Sequence, residues 1–572
     1  MHFGSSKYSA VGKKQMPINA ERQFDFDFVV IGSGFGGSVS ALRLTEKGYR
    51  VAVIEMGRRW TAENLPRTNW LLHRWFWRPK LALRGFFNMR FFRHVTILHG
   101  CAVGGGSITY AATLLRPPDK VWEMGSWAGL ADWKAEMPRH YATASRMLGV
   151  VPNTILGPAD HLLKRVAEEA GVADTFYRTQ VAILQPREGE AGGDIMADPF
   201  FGGEGPERRT CTACGGCMIG CRHGAKNTLD LNYLYLAEKH GLRIFAETKV
   251  VDVKPLDGQA DGSAGYEVVA VSSTALLDRH PRRFTCRGVV FSASALGSME
   301  LLFALRDKGS LPAISPQLGK RVRTNSESLI GVRVPGCRED LSTGIAIGSG
   351  VYIDEHTHIE AVRYPSGSDT MSLLTTLMTG GRPGPPRIAL WLVNMLASFL
   401  RHPFKTLRIL QPWAWARETV ILLCMQALEG HIDMFWRRPW FWPFRKFLVS
   451  RGLRVPTYIP RANEFAGKLA RLSGGTAVSM LPEILFDLPA TAHCLGGCVI
   501  ADSAENGVVD PRHRVFGYRN MYVCDGSVVS ANLGVNPSLT ITALAERAMS
   551  FIPPASETEW NDVAETAATV KQ

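Results

Sequence analysis

The sequence predicts an α/β protein organised around a Rossmann-like dinucleotide-binding domain. Three observations carry this: a glycine run at residues 32–37 between an apolar strand and a helix, an acid closing the next strand at Glu55, and a second strand–turn–helix unit at residues 288–305. In "FDFDFVVIGSGFGGSVSALRLTEKGYRVAVIEMG" (24–57), Phe28 to Ile31 read as a buried parallel strand. "SVSALRLTEKG" has helical periodicity and stops at Gly48, and "RVAVIE" is the next strand. Gly32 permits the tight turn, Gly34 lets backbone approach a pyrophosphate, and Gly37 lets the helix pack closely on the strand. The anion rests on the helix N-terminus, where bare N–H groups point outward. Glu55 is placed to accept hydrogen bonds from a ribose, which disfavours a 2′-phosphate and prefers FAD or NAD over NADP.

The following elements extend the same sheet. "HGCAVGGGSITYAATL" (99–114) places Gly104, Gly105, Gly106 and Ser107 where backbone N–H groups are bare for a phosphate or a ring edge; a plain flexible loop is the alternative. "LRIFAETKVVDV" (242–253) reads as an alternating strand pair whose edge near Val250 lends backbone to an adenine. "GVVFSASALGSMELLFAL" (288–305) is a buried strand, a small-residue turn and an apolar helix.

A chain of 572 residues with 46% hydrophobic and 20% charged residues is globular and holds two or three domains. Its 65 Lys plus Arg against 52 Asp plus Glu give +13, which favours an anionic ligand or membrane phospholipid, or simply makes a basic solubility surface. No basic zipper, paired zinc finger or RNP sequence is present, so nucleic acid is not an expected partner. Residues 1–23 lack the apolar core of a secretory signal and read as a loose tail. No apolar run reaches the length of a spanning helix. Eleven cysteines without such a signal point to a reducing, cytoplasmic setting.

Four of those cysteines, Cys211, Cys214, Cys217 and Cys221, have C-x2-C-x2-C-x3-C spacing. That pattern suits an iron–sulfur cluster, though Arg222 stands where proline usually follows and no second run exists. Zinc and plain structural thiols are the other readings. Arg222, His223 and Lys226 just beyond are candidates to pair with phosphate, or form a solvated basic turn. "HCLGGC" (493–498) sets His493 beside Cys494 and Cys498; the glycines between suit backbone approaching a flat ring, and the cysteines read as small core residues. Residues 70–94 and 387–447 interleave Trp and Phe with Arg and Lys, a composition that suits a lipid headgroup boundary, a lidded apolar pocket or an aromatic core.

These motifs, in this order, together with "YVCDGSVVSANLGVNPSLTITALAERA" (522–548), resemble the glucose–methanol–choline (GMC) oxidoreductases, and within them the bacterial cholesterol oxidase and 3β-hydroxysteroid oxidase branch. The resemblance runs from about residue 24 to 552. It implies a GMC fold: a discontinuous FAD-binding domain (24–60, 95–115, 225–330 and 494–553) and a substrate domain on a large antiparallel sheet (61–94, 116–224 and 331–493), with tails at 1–23 and 554–572. It implies that Asp525 and Gly526 hold the flavin ribityl chain and that a helix starting near Pro537 points its N–H groups at the isoalloxazine.

By motif match, His493 and Asn536 stand where the family has its active-site histidine and asparagine. Glu360, in "HTHIEAVRYP" (356–365), matches a substrate-facing glutamate. The implied activity is oxidation of a secondary alcohol, the 3β-hydroxyl of a sterol or similar polycyclic lipid, to a ketone by hydride transfer to flavin. Electrons then pass to oxygen or a carrier, and the site works at a peripheral, cytoplasmic membrane face. Tyr110 stands where many members carry asparagine near the flavin.

The residue chemistry agrees with that reading. Histidine titrates near neutrality, an amide holds an oxygen without charge, and a desolvated carboxylate becomes a base near neutral pH. Whether His493 or Glu360 takes the proton stays open, and bland roles exist for each: a core histidine, a helix cap at Asn536, a solvated strand residue at Glu360. An iron–sulfur-linked dehydrogenase donating to a quinone or cytochrome, and a non-catalytic membrane-associated flavin-binding protein, are the alternatives. A cysteine-rich stretch ahead of "GAK" recurs in the family and its long-chain alcohol oxidase relatives as a mainly structural feature, and some iron–sulfur sugar dehydrogenases use a comparable one.

Overall fold

The computed structural model describes residues 23–275, 277, 280–381, 383–428, 430–438, 444–452 and 456–558. The two expected tails therefore fall outside it for residues 1–22 and 559–572, as do 429 and 439–443 of the second aromatic–basic segment.

The first of two seven-stranded sheets is built where the apolar runs predict it. Strand Phe26–Ile31 lies between Val51–Ile54 and Arg282–Phe291, parallel to both, with Val29 opposite Ala52 and Val289. Arg243–Phe245 extends one edge. The long strand Arg282–Phe291 pairs on its other side first with the antiparallel Tyr266–Ser272 and then with the parallel Met521–Val523. Both faces are covered, which is why these strands are apolar at nearly every position. The segment 242–253 is not a strand pair: it turns at Glu247 (φ 50°), and its halves pair with different partners. The second half, Thr248–Pro255, is the outer strand of an antiparallel hairpin with Tyr266–Ser272 and carries a bulge just after the buried Val250.

Helix Phe35–Glu46 packs on this sheet and against the C-terminal helix Ser538–Ser550. Arg43 clamps Glu546 with two hydrogen bonds (2.7 and 2.9 Å), and the Tyr233 hydroxyl donates to the same carboxylate at 2.6 Å. The two elements whose N-termini bear on the cofactor end are thus fixed to one another, although about 500 residues separate them.

The second sheet runs Thr375–Leu377, Thr476–Met480, Ser328–Arg333, Thr419–Gln426, Thr357–Val362, Ile347–Tyr352, Tyr177–Arg178, and every pairing is antiparallel. Alternation sends Ile359, Ala361, Val420, Leu422 and Cys424 to one face, against helices Pro158–Glu169 and Pro460–Ser473. Their neighbours Val362, Leu423 and Met425 make the opposite, apolar face, which carries Glu360.

A fully buried ion pair anchors a helix to this sheet. The Arg363 Nη2 lies 2.7 Å from Asp160 Oδ2, with both side chains at 0% exposure, and Asp160 also accepts from the Gly157 N–H and the Ser349 hydroxyl. Removing the cation leaves a buried carboxylate without its counter-charge. Arg363→Met is expected to lose about 3–5 kcal/mol, read as a lower denaturant midpoint in urea unfolding.

Candidate active site

The glycine run behaves as its spacing implies. Gly32 has φ +100°, and a Cβ there would lie 2.3 Å from the Ser292 carbonyl oxygen. A Cβ on Gly37 would lie 2.1 Å from the Gly32 carbonyl oxygen, so the helix sits on the turn only because both are glycine. Gly34 differs: it caps the helix, and a Cβ there would meet no atom within 4 Å. That open space in front of a helix N-terminus is where an anion fits.

The second glycine loop lies back to back with the first, a Cβ on Gly105 falling 2.5 Å from Gly34 Cα. The N–H groups of Gly104, Gly105 and Ser107 are not bare as expected. Those of Gly105 and Ser107 donate to Ala102 and Gly104 carbonyls (2.7 and 3.1 Å), and that of Gly104 donates to the Ser33 hydroxyl at 3.1 Å. The turn is a single 3₁₀ coil, Gly105–Ile108, that spends these donors on itself. The Ser107 hydroxyl donates to the Gly104 carbonyl and accepts from the Leu229 N–H. A Cβ on Gly106 would lie 3.7 Å from the Phe35 ring, an ordinary contact distance.

Glu55 is buried, and burial raises its pKa even though several hydrogen bonds oppose that. Ser33 donates to it through N–H (3.0 Å) and hydroxyl (2.8 Å), and the Gly57 N–H donates at 2.8 Å. The acid therefore holds the phosphate turn in shape, and its remaining lone pairs stay available to a ribose. Asp525 accepts from the Ser527 N–H (2.8 Å) and the Ser298 hydroxyl (2.5 Å), which sets the Asp525–Gly526 turn at the end of strand Met521–Val523. The helix beyond begins at Ser538, with Pro537 as its cap rather than its first residue.

"HCLGGC" does not place its glycines where a ring would lie. A Cβ on Gly496 (φ +75°) would fall 2.2 Å from the Arg321 carbonyl oxygen, and one on Gly497 (φ +95°) would fall 2.1 Å from Met299 Sδ. These glycines admit protein backbone and side chain. Cys498 is a core residue and Cys494 packs against that core. The Gly496 N–H donates to the Gly526 carbonyl at 2.9 Å, so the segment locks His493 to the cofactor turn.

Three predicted residues meet at this point. Asn536 Nδ2 donates to Glu360 Oε2 at 3.2 Å, joining the C-terminal turn to the second sheet. His358, two residues before Glu360 on the same strand face, turns its Nε2 to the Tyr177 hydroxyl. Glu360 is fully buried, and burial on the apolar face pushes its pKa up to about 7, against the opposing pull of Asn536 and His493. Glu360 Oε1 and Asn536 Oδ1 are buried with no hydrogen-bond partner, two acceptors aimed into the site.

Sequence reasoning missed the fourth member, Glu327. Its buried carboxylate contacts His493 Nδ1, and its Oε2 accepts from the Ala492 N–H at 3.1 Å. Burial alone would depress the His493 pKa, but the Glu327 carboxylate and its hydrogen bond, aided by Glu360, raise it overall. Glu327 follows two left-handed residues, Asn325 and Ser326 (φ 54° and 47°), and no local motif marks it. Asn325 Nδ2 donates to the Val535 carbonyl at 2.9 Å, binding this turn to the segment that carries Asn536.

The four-cysteine run is not gathered as a ligand set. Among the described residues no three His, Cys, Asp or Glu side chains come together to hold a metal ion. Cys214 is exposed beside Gly344, while Cys211 and Cys217 sit in an apolar cluster where burial keeps their thiols protonated; Cys217 is pushed up to about 12. Cys211 and Cys221 sulfurs accept the Ala213 and Lys226 N–H groups at 3.4 Å, so these thiols close turns. Lys226 is likewise no phosphate ligand. It is buried, and its ammonium donates to the carbonyls of Ile108, Tyr110 and Cys217 (2.7–3.2 Å), pinning the cysteine loop to the second glycine loop. Tyr110 stands between them, its hydroxyl donating to the Asn227 carbonyl at 2.6 Å.

Two glycines of the first loop give a test of the cofactor cradle. Gly34→Val keeps an allowed backbone (φ −72°) and fills only open space, so the apoprotein is expected to melt normally but purify without flavin absorbance. Gly37→Ala strikes backbone and is expected to lose about 1–3 kcal/mol of stability as well, read by thermal unfolding of both apoproteins.

Comparison with known proteins agrees with this geometry. The GMC oxidoreductase family matches residues 479–545, the stretch carrying His493, Asp525 and Asn536, and an NAD(P)-binding Rossmann-like domain matches residues 30–63. A cholesterol oxidase of Acinetobacter baumannii is 59% identical over 538 residues, covering 94% of this chain and 96% of that protein. A cholesterol oxidase of Mycobacterium tuberculosis (strain ATCC 25618 / H37Rv) is 45% identical over 542 residues, 94% and 92% of the two chains. Among solved structures, pyridoxine 4-oxidase from Mesorbium loti superposes with a TM-score of 0.57 at 15% identity over 92% of this chain and 98% of that one, a likeness of fold. With two near full-length relatives and the site motifs in register, the chain belongs to the GMC oxidoreductase family, and it is a flavin-dependent enzyme acting on CH–OH donors.

Proposed function

We propose that this protein oxidises the 3β-hydroxyl of a sterol to a ketone, with oxygen as the final acceptor. The observation that carries the reading is the buried Glu360–Asn536–His493–Glu327 constellation on an apolar sheet face, in a chain 59% identical to a cholesterol oxidase. FAD, held by the Gly32–Gly37 turn with Glu55 and Asp525, would supply the hydride acceptor when bound.

The chain's own residues handle the proton and the oxygen. With Nδ1 turned to Glu327, His493 has Nε2 left for the substrate oxygen, and the Glu327 carboxylate favours the protonated, donating imidazole. Asn536 Oδ1 is a free acceptor beside it. Glu360 has an unpartnered oxygen and a pKa of about 7, so it accepts the hydroxyl proton once ionised. The apolar surround of Val362, Leu423 and Met425 suits a rigid hydrocarbon skeleton and keeps bulk water from the acid. The dehydrogenase reading with an iron–sulfur carrier has no gathered thiol set to support it.

The test is anaerobic mixing with cholesterol, which is expected to bleach the flavin absorbance, followed by air, which is expected to restore it with stoichiometric peroxide. No bleaching with any sterol would reject the substrate. Bleaching with recovery only by dyes would reject oxygen as acceptor.

Two variants check the roles. Glu360 must be ionised to act, so kcat/KM is expected to rise as pH climbs through about 7, and Glu360→Gln should remove that limb with a loss of about 10²- to 10⁴-fold. His493→Ala is expected to lose turnover on the same scale of about 10²- to 10⁴-fold. It should also move the limb to higher pH, because the cation that holds Glu360 down is gone. A limb that stays put in His493→Ala would disprove the coupling.

A further inference from the structure

Arg222 and His223, the basic turn beyond the cysteine run, line a cavity of about 400 Å³ together with Arg67, Thr212, Asp340 and Thr343. None of the residues around it belongs to the Glu360–His493 constellation or to the two glycine loops. Four stretches of chain are joined to make it. Gly344 donates its N–H to the Ala213 carbonyl, and Gly215 donates its own to the Gly344 carbonyl, both at 2.8 Å. Gly215 (φ +67°) admits no side chain there, because a Cβ would fall 2.4 Å from the Ser342 carbonyl oxygen. Thr68, next to Arg67, donates its hydroxyl to the Gly367 carbonyl at 2.6 Å. The cysteines set the remaining wall. The turn closed on the Cys211 sulfur carries Thr212, and the turn closed on the Cys221 sulfur carries Arg222 and His223. The walls are thus held by the chain's own hydrogen bonds, and little has to be ordered when a ligand binds.

Positive charge is in excess here. Arg67 and Arg222 are exposed, and neither has an acidic partner among the described residues. The acid on the wall, Asp340, is committed to its own turn: it accepts from the Ser342 N–H at 2.9 Å and from the Ser342 hydroxyl, and it faces Arg417 at 3.9 Å. Burial, and after it the charges of Arg222 and Arg209, lower the pKa of His223 and leave it neutral near pH 7. Thr212 adds a buried hydroxyl without a hydrogen-bond partner. Two unmatched guanidiniums beside a neutral imidazole and a free hydroxyl form a donor set for a dianionic phosphate. A phosphodiester carries a single charge and would leave one guanidinium unmatched. The volume lies in the range of small-molecule sites, so an organic body fits beside the phosphate.

We propose that the cysteine loop, with Arg67 from the segment beside it, forms a binding site for a small phosphate monoester. Arg222 and Arg67 take the dianion, and the polar wall at Asp340 and Thr343 faces the organic part. The four-cysteine run thereby has a task that needs no metal: its sulfurs shape the turns that present the donors.

The experiment is isothermal titration calorimetry of the holoenzyme with ribose 5-phosphate, inorganic phosphate and ribose at fixed ionic strength. Ribose 5-phosphate is expected to bind once per chain, about ten-fold more tightly than inorganic phosphate, and ribose to give no heat. Arg222→Ala and Arg67→Ala are each expected to weaken the sugar phosphate by about ten-fold or more. Lys254→Ala, which removes one charge from the outer hairpin of the first sheet, should bind as the parent does. Thermal midpoints without ligand should agree among the parent and the three variants, because the altered side chains are exposed. No heat with the sugar phosphate, equal affinity in the parent and Arg222→Ala, or an equal loss in Lys254→Ala would each overturn the proposal. Inorganic phosphate binding as tightly as the sugar phosphate would mean an adventitious ion only, and would overturn it too. The titration needs no turnover, so its failure and that of the sterol reading are told apart.

Discussion

Two carboxylates and one imidazole share a site from which water is largely excluded, and the charge balance among them constrains everything built around it. The Glu327 carboxylate raises the pKa of Glu360 and His493 lowers it, because charges at short range in a low-dielectric setting interact strongly. The structure separates their roles. Glu327 lies against the imidazole and takes a backbone N–H, so its charge is matched locally. Glu360 has only an amide and the more distant imidazole, and its pKa rises to about 7. The two acids thus sit in different surroundings, Glu327 against the imidazole and Glu360 with its pKa raised on an apolar face, which is how two similar groups come to serve different functions.

That balance depends on three chain segments meeting to within hydrogen-bond distance, and none of them belongs to the same local unit. Asn536 is placed by the turn before helix Ser538–Ser550, which Glu546 fastens to the phosphate-binding helix. His493 is held by a segment whose backbone is bonded to the Asp525–Gly526 turn. Glu360 comes from the second sheet and meets the C-terminal turn through Asn536. The Asp525–Gly526 turn and the buried acid Glu360 are therefore contributed by different sheets, and the C-terminal turn is the joint between them. The long Arg43–Glu546 separation is the reason such a joint holds its shape: it is built from elements already fixed to the first sheet's core.

What the sequence disclosed divides along the same line. Gly32, Gly34, Gly37 and Glu55 were legible because their task is local: strand, turn and helix are contiguous, and each glycine answers a steric demand from atoms nearby in the chain or on the adjoining strand. His493, Asn536 and Glu360 were legible only through family resemblance, since no spacing rule joins residues 360, 493 and 536. Glu327 left no mark at all, because its partner lies 166 residues away and what aims it is a pair of left-handed residues that sequence pattern does not reveal. The errors share a cause too. Bare glycines at 104–107 and 496–497 and a lysine at 226 all suggested contact with a cofactor. Each is consumed by the protein itself, in a coil, a backbone crossing or a triad of carbonyls. Composition shows that a close approach is possible; it does not show what approaches.

The aromatic–basic segments make the same distinction in the other direction. In residues 70–94, Trp75, Phe86 and Phe87 turn inward, and Arg78 folds back to the Trp77 carbonyl at 2.9 Å, so a composition that reads as a headgroup boundary is mostly core. In residues 385–410 the rings and leucines stay outside. The difference lies in what each segment is tied to. Strand Phe87–Phe91 pairs along its length with Thr96–Gly100, and that ladder directs alternate side chains into the protein. Helix Pro385–Arg401 satisfies its own backbone and is held by one buried arginine, so nothing requires its second face to turn in. A helix tethered in that way keeps an apolar stripe outside, beside the basic bend at Arg401–Lys405.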